Sequence, residues 1–156
     1  ELLKHPEGGY YKEVYRSNEL INKNHLADRF TGDRCYCTSI YFLLNKNDFS
    51  AFHRIKSDET WHFYSGTSLS IYIIDEQTGL TRITLGNQLD EDNVLQYTIQ
   101  RNTWFAAELN HENSFALVGC SVYPGFDFND FELAKKENLI TQMPEHRTII
   151  EKLCIQ

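Results

Sequence analysis

His53 and Glu59 stand six positions apart on either side of a short polar turn, Lys56-Ser57-Asp58. Side chains alternate along a strand, so His53 and Ile55 share a face, and the turn allows Glu59 to look into the same hollow. An imidazole and a carboxylate that converge inside a barrel serve as an acid/base pair or as donors to a divalent ion. Along the second strand, Glu59, Trp61 and Phe63 fall on one face and His62 on the other, and His62 joins the pair only if a bulge turns it inward. Gly66 closes that strand. Trp104 and Phe105 are either core or the aromatic floor of a pocket. Tyr41 is a further candidate ligand contact, and Arg16 offers a fork for carboxylate or phosphate. Cys35, Cys37, Cys120 and Cys154 match neither zinc spacing nor a disulfide framework and read as reduced, mostly buried thiols. Gly8, Gly9, Gly66 and Gly125 are turn residues, since none opens a helix as a phosphate loop does.

The elements that must hold these residues are strands. Cys35 to Leu44 is rich in aromatic and β-branched residues and ends at Asn45–Asp48, so it reads as one strand and a turn. Short strands follow over 50–55, 60–64, 69–74, 80–85, 94–100, 103–109 and 114–123, with a hairpin turn at 75–79. Many short strands separated by turn signals indicate a sandwich or barrel. The tail changes character. After Pro144, the residues Ile149, Ile150 and Leu153 recur at helical spacing, and one or two short helices are expected there. Upstream, His5-Pro6-Glu7-Gly8-Gly9-Tyr10-Tyr11 reads as a turn feeding an extended arm.

At 156 residues the chain suits one domain, divided into an N-terminal arm (1–34), a barrel (35–123) and a helical tail (124–156). A net charge of −7 works against nucleic acid, because carboxylates repel a phosphodiester backbone and no Lys/Arg cluster offsets them. Apolar runs are strand-sized, far below the roughly 20 residues that cross a bilayer, and no signal segment opens the sequence. Glu1, rather than Met, stands first, which reads as a chain begun downstream of its native start. A cytoplasmic protein is expected.

Three segments spread along the chain carry a resemblance. They are His5-Pro6-Glu7-Gly8-Gly9-Tyr10-Tyr11, then Ser57 to Gly66, and then Leu117-Val118-Gly119-Cys120 running on to Pro124-Gly125-Phe126-Asp127-Phe128. Together with His53, they resemble the cupin superfamily, and within it the subfamily first recorded as a domain of unknown function (Cupin_5, DUF985). The resemblance implies an all-β double-stranded β-helix (jelly-roll) barrel, commonly a homodimer, with kinship to sugar isomerases and epimerases. It also implies a divalent metal on two histidines, a glutamate and a later histidine. This sequence departs there: Ile55 replaces the second histidine and Phe105 the last one. Two remaining ligands fall short of the three or four that a tight site needs. No cofactor is therefore counted on, and a divalent metal on His53, Glu59 and His62 stands as the alternative.

The expected function is binding of a small polar metabolite in the barrel cavity. A sugar or nucleotide-sugar isomerase- or epimerase-like reaction would use metal-free chemistry, with His53 as general base or acid and Glu59 as its orienting partner. A non-catalytic small-molecule-binding protein and a metal-dependent enzyme are the alternatives, so enzymatic activity is left open. Trp61, Trp104, Phe105, Tyr41, His62 and Arg16 are the expected ligand contacts.

Overall fold

The computed structural model describes residues 1–75 and 78–155. Among the described residues, thirteen strands and two α-helices follow one another, with short 3-10 turns between some of them. The strands are β1 (Leu3–Lys4), β2 (Tyr10–Arg16), β3 (Leu20–Ile21), β4 (Arg34–Cys35), β5 (Thr38–Leu44), β6 (Phe49–Ile55), β7 (Asp58–Gly66), β8 (Leu69–Asp75), β9 (Gly79–Leu85), β10 (Gln96–Ile99), β11 (Trp104–Leu109), β12 (Ala116–Tyr123) and β13 (Phe131–Leu133). The helices are α1 (Lys136–Gln142) and α2 (Arg147–Leu153). One sheet has the order β1-β2-β5-β12-β7-β10 and the other β13-β6-β11-β8-β9, with β3 and β4 forming a separate pair. Neighbouring strands are antiparallel throughout both large sheets. The sheets face one another as a jelly-roll barrel, the expected fold class.

Alternation decides what lies between the sheets. Phe42, Leu44, Trp61, Ile71, Phe105 and Val118 point inward and build the core. On the outer side of the five-stranded sheet, Phe52, Ile74, Trp104 and Ala106 pack under Leu139, Ile140, Ile150 and Leu153. The helices thus cover that face with the apolar edge that the tail's spacing indicated, and the strands beneath them bury both rows of side chains.

Three segments differ from the sequence reading. The strand expected from Cys35 to Leu44 is broken at Tyr36 and Cys37. Gly125 packs directly on Cys35 and its N–H donates to the Cys35 carbonyl, so a backbone contact from outside the ladder bends the chain there. The arm does not stand apart: β2 adds to the six-stranded sheet by pairing with β5 from Tyr10↔Leu43 to Arg16↔Thr38. The tail contributes β13, which pairs with β6 through Leu133↔His53. The 75–79 hairpin joins β8 to β9 through the pair Asp75↔Gly79, and Glu76 and Gln77 lie outside the described residues.

Candidate functional site

Between the sheets, near the end of β6, lies a cavity of about 360 Å³, at the small end of ligand pockets. His53 and Ile55 from β6, Glu59 from β7 and Cys120 from β12 line it, as one inward row from each strand. Its other walls are Phe42 of β5, Tyr11, Glu13 and Arg16 of β2, and Phe126, Phe128 and Phe131 beyond β12.

The N-terminal turn supplies the charged centre. His5 and Glu7 reach the cavity floor because Gly8 and Gly9 take positive φ (110° and 65°) in a turn pressed against β5 and β6. A Cβ on Gly8 would overlap the Phe49 carbonyl oxygen, so only glycine lets the backbone come that close. The Ala51 N–H donates to the Glu7 carbonyl (2.8 Å) and locks the turn to β6.

Glu7, 5% exposed, is held on both oxygens. Its Oε1 accepts from the Ser50 hydroxyl (2.8 Å), while Oε2 lies 3.1 Å from His5 Nδ1 and 3.2 Å from His53 Nε2. His5 Nδ1 faces the carboxylate at that distance without a directed hydrogen bond. Burial would raise the Glu7 carboxyl, but His53, His5 and Ser50 outweigh it and hold the group below the usual carboxylate range. Burial pulls the His53 imidazole down, opposed by the Glu7 charge and the Ala51 carbonyl.

Both ring nitrogens of His53 face groups of the protein. Nδ1 lies 2.8 Å from the Ala51 carbonyl, an acceptor only, so Nδ1 carries a proton. Nε2 faces Glu7 Oε2, where an ionised carboxylate and a neutral imidazole present lone pairs to each other. A proton arriving at that contact closes it as a hydrogen bond, and the two groups titrate as one unit.

Glu59, 8% exposed, is the counterpart. Burial first, and the Glu7 charge second, push its carboxyl up to about 8, against weaker opposing pulls from Cys120 and Trp61. It is an un-ionised acid at neutral pH. Two carboxyl groups in one hollow are thus driven apart, one kept as base and the other as acid. Burial and the neighbouring Glu59 raise the Cys120 thiol well above its ordinary value, so it is no nucleophile. Trp61, buried below the cavity, keeps its indole N–H without an aligned partner in the protein.

The mouth carries Arg16, whose Nε and Nη2 donate to Glu13 (shortest 2.7 Å) and whose Nη1 donates to the Phe126 carbonyl (3.2 Å). The Phe126 N–H donates to Thr38 Oγ1 (2.9 Å), and Asp127 caps the short turn that follows. Behind this aromatic wall, Arg34 and Asp130 form a buried bidentate pair at 2.6 and 2.7 Å.

The structure places His53, Glu59 and Arg16 on one cavity and leaves the other candidates elsewhere. His62 does not line the cavity: β7 bulges only at Tyr64, two residues later, and alternation keeps His62 opposite Trp61 and Phe63. Tyr41 is 43% exposed and packs edge-on against Tyr64, because its neighbours Ile40 and Phe42 take the inward positions. Trp104 lies under the C-terminal helices, on the far side of its sheet. Phe105 is core, its ring tilted at 57° against His53 at 4.1 Å between centroids. The donors do not fit a transition metal. Ile55 and Phe105 offer none, His62 faces away, His53 Nδ1 is held by the Ala51 carbonyl, and no group of three His, Cys, Asp or Glu suited to an ion occurs among the described residues. Glu7 and His5 were missed as site residues; the signal was the Pro-Glu-Gly-Gly turn itself, whose paired glycines mark a close backbone approach.

A sequence profile of the family described as "Cupin superfamily (DUF985)" matches residues 1–134. A protein of Shewanella oneidensis is similar at 38% identity and a TM-score of 0.88, over 99% of this chain and 91% of its own. A hypothetical protein of Leishmania major is similar at 32% and 0.87, over 99% and 94%. Oxalate decarboxylase of Bacillus subtilis, 15% identical with a TM-score of 0.57 over 96% of this chain and 36% of its own, shares the fold. No curated protein sequence matches. No described helix is long and apolar enough to cross a membrane.

Proposed function

The chain belongs to the Cupin_5 family of the cupin superfamily, and from that premise we propose that its cavity binds a small polar metabolite and transfers a proton on it by acid/base chemistry. The observation that carries this reading is the opposed pair of carboxyl groups, Glu7 held ionised and Glu59 held protonated up to about pH 8, in one enclosed hollow. A substrate with a carbonyl fits that pair. Glu59 donates a hydrogen bond to the carbonyl oxygen. Glu7 removes the proton from the adjacent carbon, and that proton completes the Oε2–Nε2 contact with His53. Glu7 then returns the proton to the neighbouring carbon on the same face, while Glu59 gives its proton to the carbonyl oxygen and takes back the one on the adjacent hydroxyl, which makes the reaction an isomerisation. His53 is then the group that orients and supports the base, and Glu7 meets the substrate.

The test is a turnover screen of hydroxy-carbonyl compounds, followed by variants. Glu7→Gln and Glu59→Gln should each cost roughly 10²–10⁴-fold in kcat, the usual worth of a general base or acid. His62→Ala and Tyr41→Phe, outside the cavity, should leave it unchanged. Full activity in Glu7→Gln would refute the assignment. A ligand that raises Tm by mass action but is never converted would favour the non-catalytic reading.

A further inference from the structure

The charged groups around the cavity say what kind of molecule it takes. Glu7, Glu13, Glu59 and Asp127 are acidic, and Arg16 is the single permanent cation among the lining residues. Its charge is already paired. Of the five N–H groups of a guanidinium, Nε and one on Nη2 go to Glu13, and the two on Nη1 go to the Phe126 carbonyl and the Cys35 sulfur, which leaves one on Nη2. An anion entering the hollow would lose its hydration, find its one cation already neutralised by Glu13, and face the buried Glu7 carboxylate. A hydroxyl meets the opposite situation. The Glu7 carboxylate accepts its hydrogen bond, Glu59 donates one, and Phe42, Phe126, Phe128 and Phe131 offer ring surfaces to a C–H face. The volume of about 360 Å³ suits one ring rather than a nucleotide-linked one.

We propose that the cavity selects an uncharged polyhydroxy-carbonyl compound of single-ring size over its phosphorylated counterpart, and that Glu13 sets this preference by holding Arg16. The proposal rests on the cavity read above as the ligand site and replaces the nucleotide-sugar expectation. Glu13 is half-exposed on β2 and touches none of the groups assigned to proton transfer, so it is a specificity residue.

The experiment measures Kd by ligand-observed NMR for D-ribose, D-xylose and D-glucose and for their terminal phosphates. The imidazole resonances of His5 and His53 report whether binding is in the cavity. At least one uncharged sugar should bind there about 10-fold or more tightly than its phosphate. Glu13→Gln, at the mouth and nearly isosteric, should shrink the ratio of the phosphate Kd to the sugar Kd at least about 5-fold. Equal or tighter binding of a phosphate to the wild-type protein overturns the proposal, as does the absence of any sugar-induced shift in His5 and His53. An unchanged gap in Glu13→Gln overturns the role given to Glu13. Binding of an uncharged sugar without turnover would instead refute proton transfer and leave this selectivity standing.

Discussion

Replacing Glu59 by Gln removes one titratable proton and little else, since the amide has the same size and stays neutral. In the folded protein the Glu59 carboxyl is raised from 4.5 to about 8, chiefly by burial. Below pH 4.5 it is protonated whether the chain is folded or not, and its contribution is fully present. As pH rises from 4.5 towards 8, the unfolded chain gives up the proton and the folded chain keeps it. Stability is therefore lost at about 1.4 kcal/mol per pH unit across the middle of that window. The Glu59→Gln variant escapes this loss. Urea denaturation of both proteins at about pH 5.5 and about pH 7.0 should show the difference moving in favour of the variant by about 2 kcal/mol over those roughly 1.5 units. The other titrating groups, Glu7 and His53 included, are present in both proteins and largely cancel. A difference that stays constant within ~0.5 kcal/mol between the two pH values would show that Glu59 is not protonated in the native state, and the acid in the proposed mechanism would go with it.

Three further outcomes follow from the same contacts. Glu7→Gln removes the charge that supports the His53 imidazolium, so the His53 pKa should fall further below 6.5; ¹⁵N imidazole shifts followed with pH check this, and an unchanged curve contradicts the pairing. Asp130→Ala leaves the Arg34 guanidinium buried without its carboxylate, and chemical denaturation should record a loss of about 3–5 kcal/mol; a loss below ~1 kcal/mol means the pair does not fasten the aromatic wall. Gly8→Ala forces a side chain into a positive-φ turn against the Phe49 carbonyl, costing about 1–3 kcal/mol and weakening any ligand held by Glu7. Gly32→Ala, where φ is ordinary and the nearest atom is the end of an Arg side chain, is the control and should change Tm little.

Much of this molecule is written in short-range pattern. Two-residue alternation alone separates Glu59, Trp61 and Phe63 from His62, and helical spacing in the tail marks the edge that covers β11 and β6, because both depend only on neighbours along the chain. The family likewise reads from contiguous motifs, and Ile55 and Phe105 already showed that the usual metal donors were gone. The centre of the site was not legible in that way. Glu7 and His53 lie far apart in the sequence and meet only in the fold, through a turn whose direction depends on how closely two glycines can approach strands formed elsewhere. Glu13 takes Arg16 out of use, although Arg16 by itself reads as an anion clamp. Protonation is less local still. Two carboxyl groups of the same chemistry, Glu7 and Glu59, take different roles here because burial and neighbouring charge set a pKa, and both exist only once the sheets have closed around the hollow.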